Sequence, residues 1–181
     1  MALSLRAGQA VRLFGEMFTA RDAAHARLWA ALDAGESLPL KLKGATVYYC
    51  GPTPGRPPRV IGAAGPTTSS RMDKYAPALY QAGLRATLGK GERSLPVREA
   101  CREYGAVYLV TVGGGGALLG SRIVEAEVIA YPDLGPEAIR RLVVEDFPAW
   151  VAYDAQGGSI FPGEEDLPLE QASATVPSAL R

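Results

Sequence analysis

The run Ala106-Val107-Tyr108-Leu109-Val110-Thr111-Val112, followed by Gly113-Gly114-Gly115-Gly116 and then Ala117-Leu118-Leu119, is the most strand-like segment of the 181-residue chain. Its β-branched and aromatic residues form a continuous apolar run, the pattern of a buried strand. Four glycines then free the backbone for close approach. Strand, glycines and apolar turn suggest a dinucleotide-binding βα unit, but the spacing excludes one. A G-x-G-x-x-G frame starting at Gly113 places Leu118 where the last glycine belongs, and a frame starting at Gly114 places Leu119 there. The glycines instead predict close backbone packing, or a passage where a partner or ligand approaches the chain.

Working outward from this strand, Ser94 and Pro96 open a helix through Val97, Ala100 and Cys101 to Tyr104, with Gly105 as its stop. Leu84–Leu88 forms a short strand before it. On the other side, Ala126–Tyr131 and Ala149–Tyr153 read as strands, separated by a short helix over Pro136–Leu142 that carries Arg140 and Arg141. Nearer the start, residues 3–18 suggest a β-hairpin, with Leu3 and Leu5 in one strand, a turn over Arg6–Gln9, and Val11, Leu13, Phe14 and Phe18 in the other. Asp22–Ala34 has helical spacing and stops at Gly35, Ala45–Cys50 is a strand, and Ser70–Gln81 is a helix that Pro77 kinks before Gly83. Alternating strands and helices give an α/β chain, long enough for one domain and its core. Past Phe161 the sequence is acidic, rich in small residues and aperiodic, which predicts a loose tail over 162–181.

Acidic and basic residues balance at 19 each, so no global field draws the chain to nucleic acid or to an anionic membrane surface. No apolar run approaches the roughly 20 residues of a membrane span, and no leader pattern is visible, which predicts a cytoplasmic protein. Cys50 and Cys101 stand far apart without a CxxC or a companion histidine, so both read as free thiols. Gly89-Lys90 fails the phosphate-loop pattern: Gly83 lies one residue too early, and Gly91 replaces the hydroxyl residue that would reach magnesium.

The densest polar stretch is Gly65-Pro66-Thr67-Thr68-Ser69-Ser70-Arg71-Met72-Asp73. A Gly-Pro turn, hydroxyl residues and a cation before a helix can aim the amides of residues 67–70 at an anion, or can simply cap the helix. Arg21, at the start of the first helix, opposes the macrodipole unless an acid or an anionic ligand neutralises it. Lys90 lies between two glycines, which gives it close backbone access, and a turn lysine is the bland alternative. Arg21, Arg71 and Lys90 together suit a small dicarboxylate, whose two ends need separate donors. His25, the single histidine, is not counted among the site residues, and Arg56 and Arg59 are minor loop candidates.

Thr19-Ala20-Arg21-Asp22-Ala23-Ala24-His25, Tyr48-Tyr49 with Gly51-Pro52-Thr53-Pro54, Gly65 to Asp73, Gly89-Lys90-Gly91, the Gly113–Leu119 run and Asp146-Phe147-Pro148 together resemble the class I fumarase and L-tartrate dehydratase family. The likeness is to its C-terminal domain or separate β subunit, over roughly residues 1–161. It implies a swivelling β/β/α domain with a mixed sheet core and flanking helices. It also implies a hydro-lyase subunit, of fumarate hydratase or alternatively of L-tartrate dehydratase, with a stand-alone carboxylate-binding module as a third reading. The implied cofactor is a 4Fe-4S cluster held by a partner α subunit, whose open iron acts as a Lewis acid, and the implied assembly is α2β2. The family's substrate contacts carry over to Arg21, Thr67, Thr68, Arg71 and Lys90. Thr67 takes the position of the catalytic base, a role that needs Lys90 or Arg71 nearby to stabilise its alkoxide.

Overall fold

The computed structural model describes residues 2–162, so nearly all of the tail expected over 162–181 lies outside the described residues. The ten labelled elements are β1 Ala10–Thr19, α1 Asp22–Asp33, β2 Thr46–Tyr48, α2 Ala76–Gln81, β3 Ala86–Gly89, α3 Leu95–Tyr104, β4 Val107–Val110, α4 Gly116–Gly120, β5 Ile123–Ala130 and β6 Ile139–Tyr153. Strands β1 to β4 are parallel neighbours. The 15-residue β6 runs antiparallel to both β4 and β1 and so closes these five strands into a ring, while β5 pairs with its first half. The fold is therefore mixed α/β, as the sequence indicates.

Alternation along the strands divides the core in two. Met17, Tyr48, Leu88, Leu109, Leu142 and Phe147 fill the ring. Val47, Tyr49 and Tyr108 point the other way and meet Leu28 of α1, Leu79 and Tyr80 of α2, and Val97 and Cys101 of α3. Each helix buries a stripe at helical spacing, such as Ala24, His25 and Leu28 in α1.

Three local expectations change. No N-terminal hairpin forms: residues 2–4 make one 3-10 turn, and the Gly8 amide donates to the Val151 carbonyl at 2.9 Å while the Val151 amide donates to Gln9. A long distant strand thus outcompetes a short local one. The helix over Pro136–Leu142 is replaced by a 3-10 segment, Pro132–Glu137, and by the start of β6. Gly135 turns with φ +56°, and Ile139, Leu142 and Val144 are worth more in the sheet, where all three are buried. The expected Ser70–Gln81 helix separates into a Ser69–Met72 3-10 turn and α2, because Pro77 has no N–H to continue the ladder backwards and suits the first turn of a new helix.

Of the glycine run, Gly116 lies in close backbone packing, with Gly65 N 3.2 Å from where its Cβ would stand, while Gly113 and Gly114 have nothing nearer than Lys90 Cδ at 4.0 Å. The Ala64 amide donates to Gly116 at 2.8 Å, and a Cβ on Gly120 would come within 1.9 Å of the Gly62 carbonyl oxygen. Helix α4 therefore seats the segment that leads into Gly65–Asp73. No helix among the described residues is long and apolar enough to cross a membrane.

Candidate functional site

Because β1 to β4 are parallel, with Thr19 opposite Tyr48, Tyr48 opposite Leu88 and Leu88 opposite Leu109, their C-terminal ends lie along one rim of the ring. The segments leaving that rim carry Arg21 after β1, Tyr49–Thr53 after β2 and Lys90 after β3. Carboxyl ends of parallel strands are where α/β folds collect ligand groups, since loops there are free to diverge above a rigid floor.

Arg21 occupies the N-cap of α1 without supplying a side-chain cap. The cap comes from Glu137, whose Oε2 accepts the Ala23 amide at 3.0 Å while Oε1 stands 3.4 Å from Arg21 Nη2. Asp22 Oδ2 lies 3.6 Å from Arg21 Nη2 and 3.7 Å from Arg71 Nη1, so one carboxylate faces both guanidinium groups. These separations exceed good hydrogen-bond length, and Arg21 Nε is buried without a partner. The acid pairing anticipated for Arg21 thus exists, yet both arginines keep donors to spare. A Cβ on Gly51 would stand 3.0 Å from Arg21 Nη1 and 3.3 Å from the Pro136 carbonyl oxygen, so a side chain there would crowd Arg21.

The hydroxyl stretch is built differently from an amide cradle. The Thr67 amide donates to Tyr49 O at 2.7 Å and the Ser69 amide to Lys90 O at 3.1 Å, so two of the four amides are spent on backbone. No hydroxyl caps the 3-10 turn that follows. What faces outward is side chain: Thr68, Arg71 and Lys90 are exposed and Thr67 is half-buried. A parallel bridge joins Thr68 to Lys90. Arg71 and Arg21 meet at Asp22, so the structure brings all five sequence-predicted residues into one cluster. Arg56 and Arg59 are exposed in the loop after β2, away from any ion pair among the described residues.

Beneath the rim lies a polar layer that the sequence did not disclose. Arg93, whose side chain is 0% exposed, is held by Asp73 Oδ1 at 2.5 Å and donates to the Tyr49 hydroxyl at 3.3 Å. Its guanidinium stacks on the rings of Tyr49 and Tyr108 at 5.1 and 5.0 Å. Burial pushes both phenols up, so they stay neutral near these charges. Asp73 Oδ2 accepts the Ser94 amide at 2.7 Å, supplying the cap for α3 that the Ser94 side chain does not. An arginine two residues before a helix looks solvated in sequence, and only the distant Tyr49, Asp73 and Tyr108 make it a core group. Glu137 was hidden for a similar reason, inside a segment that reads as helix.

His25 is fully buried against Tyr49, with ring centroids 5.2 Å apart. Its Nδ1 donates to the Arg21 carbonyl at 2.9 Å, since that oxygen can only accept, and Nε2 is left as an unpartnered acceptor. Burial is the main cause that lowers its pKa to about 4 from 6.5, with Arg93 adding repulsion. The folded chain therefore holds His25 neutral, and the unfolded chain binds the extra proton between those values. Stability should fall as pH drops through 6.5 toward 4, by about 2 kcal/mol from this residue between pH 7 and 5. Urea titrations of the wild type and of His25→Leu at both pH values check this: the variant should lose about 2 kcal/mol less than the wild type, and equal losses would refute it.

The residues present do not fit an iron-sulfur cluster. Cys50 belongs to the core inside the ring and Cys101 to the core beneath the helices. Burial pushes their thiols up to about 12 and about 11, so neither is a thiolate. Among the described residues no group of three or more His, Cys, Asp or Glu could hold a metal ion.

The family model described as Fumarase C-terminus matches residues 2–163. Over 166 residues, 91% of this chain, the sequence is 41% identical to the aerobic class I fumarate hydratase of Escherichia coli strain K12, covering 30% of that protein. Fumarate hydratase 2 of Leishmania major is 40% identical over 157 residues, 85% of this chain and 28% of that protein. The chain thus spans about 30% of the length of the fumarate hydratases it matches. A Methanocaldococcus jannaschii protein provisionally named L(+)-tartrate dehydratase subunit beta is 35% identical over 163 residues, 87% of this chain and 84% of that protein.

Proposed function

The chain belongs to the Fumarase C-terminus family, and from that premise we propose that it is the carboxylate-binding half of a hydro-lyase that adds water to fumarate to give L-malate. The other half is a partner α subunit that carries a 4Fe-4S cluster, in a cytoplasmic α2β2 assembly. The observation that carries this reading is the rim itself: Arg21, Arg71 and Lys90 reach one cluster from separate parts of the chain, with two threonine hydroxyls beside them. Three cations against Asp22 and Glu137 leave one positive charge in surplus, and the ion pairs at 3.4–3.7 Å are loose enough for the guanidinium groups to turn donors to an anionic ligand. The exposure of Thr68, Arg71 and Lys90 supports the need for a second surface, because charge-stabilising groups act strongly only where water is excluded.

Within this reading Arg21, Arg71 and Lys90 hold the substrate carboxylates and stabilise the negative charge that grows on one of them. Thr67 exchanges the proton at the neighbouring carbon. Its hydroxyl has no hydrogen-bond partner among the described residues and so is free for that exchange. The cluster and its chemistry belong to the partner. L-tartrate dehydration is the alternative activity, favoured by the likeness to a protein named as a subunit beta.

The chain combined anaerobically with its cluster-bearing partner should hydrate fumarate. Arg71→Ala should raise KM by about tenfold or more, the loss of one charge-assisted contact of about 1.5–3 kcal/mol. Thr67→Ala should lower kcat with little change in KM. A stable complex with an intact cluster that turns over neither fumarate nor L-tartrate would overturn the proposal. Dicarboxylate binding by the isolated chain, without complex formation, would point to a stand-alone binding module.

A further inference from the structure

Lys90 is exposed, sits between two glycines and makes no ion pair among the described residues, so its own side chain does nothing to hold it in place. Its backbone, in contrast, is gripped on both sides. The Lys90 amide donates to Ser69 Oγ at 3.0 Å, and the Ser69 amide donates back to the Lys90 carbonyl at 3.1 Å. Tyr108 Oη lies 2.9 Å from Ser69 Oγ and 2.7 Å from the carbonyl of Gly91. Tyr108 has a single hydroxyl hydrogen and the Gly91 carbonyl can only accept, so that hydrogen goes to Gly91. The Ser69 hydrogen must then go to Tyr108, which leaves a Ser69 lone pair for the Lys90 amide. One polarised chain results, running from Lys90 N–H through Ser69 and Tyr108 to Gly91 C=O.

Every member of this chain is fixed from below. Ser69 and Tyr108 are both 0% exposed. Tyr108 is wedged between the guanidinium of Arg93 and the edge of Tyr153, whose ring centroid is 5.5 Å away. The two glycines have separate reasons to be there. A Cβ on Gly89 would stand 2.0 Å from Ser69 Oγ, so the hydroxyl needs glycine to approach, and Gly91 turns with φ +80° to present its carbonyl to Tyr108.

We propose that Ser69 and Tyr108 are positioning residues that clamp the backbone at Lys90 and thereby hold its ammonium against the substrate carboxylate. This rests on the hydro-lyase reading above and adds to it two residues that never touch substrate. Such a clamp matters in the transition state more than in the ground state, because charge on the carboxylate grows as the reaction proceeds and a misplaced cation forfeits that gain.

Two measurements test the clamp. In the complete complex, Ser69→Ala and Tyr108→Phe should each lower kcat about ten- to a hundredfold while KM changes less than threefold. Combined with Lys90→Ala, neither should lower kcat further, since a residue acting through Lys90 has nothing left to act on. Losses that multiply instead would overturn the proposal. Independently of any activity, Ser69→Ala should speed hydrogen exchange of the Lys90 amide more than tenfold while the amides of Leu88 and Leu109 keep wild-type rates. Unchanged exchange at Lys90, or acceleration throughout β3 and β4, would overturn it as well. A wild-type complex without turnover refutes the hydro-lyase reading, and the proposed catalytic positioning with it, whereas multiplying losses in an active complex refute the positioning alone.

Discussion

Replacing Asp73 by alanine is expected to destabilise the chain by about 3–5 kcal/mol, the cost of leaving a buried charge without its partner. Asp73 is the carboxylate paired with Arg93, whose other close neighbours are the neutral Tyr49 hydroxyl and two aromatic faces. Those faces attract a cation but cannot replace a counter-charge or water. The same carboxylate also caps α3 through the Ser94 amide, a further contribution of about 1 kcal/mol. Total stability of a domain this size is about 5–15 kcal/mol, so Asp73→Ala threatens folding outright.

The two contributions can be separated. Asp73→Asn keeps an acceptor for Ser94 and removes the charge, so it should lie between the wild type and Asp73→Ala. Arg93→Met should cost least, because it removes the buried charge together with its need for a partner and fills much of the same space. Asp73, whose side chain is 16% exposed, can then draw on water. Urea denaturation of the three variants at one pH gives the order. If Arg93→Met is as damaging as Asp73→Ala, the layer is held by its packing and not by the balance of its charge.

Lys90→Ala is the second large effect, and it falls on turnover with stability spared. In the complete complex kcat should drop about 10²–10³-fold, the scale for losing one preorganised donor to a developing anion, or about 3–4 kcal/mol of barrier. The isolated chain should unfold at the wild-type urea concentration within about 0.5 kcal/mol, because the side chain is exposed and the clamp binds backbone atoms that alanine also has. Lys90→Arg should not restore the rate: the guanidinium keeps the charge but is longer, planar and differently hydrated, while the glycine-bounded backbone fixes where it starts. Wild-type turnover in Lys90→Ala would remove this residue from the site and leave the clamp without a purpose.

Much of this was legible along the chain wherever the deciding forces are local. Helix α1 could be read from apolar spacing and a glycine stop, and α3 from Pro96 and Gly105. The glycines after β4 could be read as close packing or as a place of approach because their spacing excluded the nucleotide alternative, and of the four Gly116 packs against Gly65 while Gly114 faces open space. Arg21 could be picked out because a cation at a helix start opposes the macrodipole, and Arg71 and Lys90 because one follows a hydroxyl stretch and the other lies between glycines. Whether residues 67–70 form an amide cradle or a cap could not be read locally, since nothing near them in sequence announces that Tyr49 O and Lys90 O will take two of the four donors.

The sequence by itself determined the α/β class, most element positions, the candidate residues Arg21, Thr67, Thr68, Arg71 and Lys90, and the likeness to one family, because periodicity, turn chemistry and motif order are properties of neighbours. Tertiary structure alone decided the rest. Residues 3–18 forgo a hairpin and keep only its second strand, as β1, and β6 runs through 139–153, because strand pairing compares partners more than a hundred residues apart. Arg93, Asp73, Tyr108 and Glu137 acquire their roles in the same way: burial and counter-charge depend on what the folded chain places around a side chain.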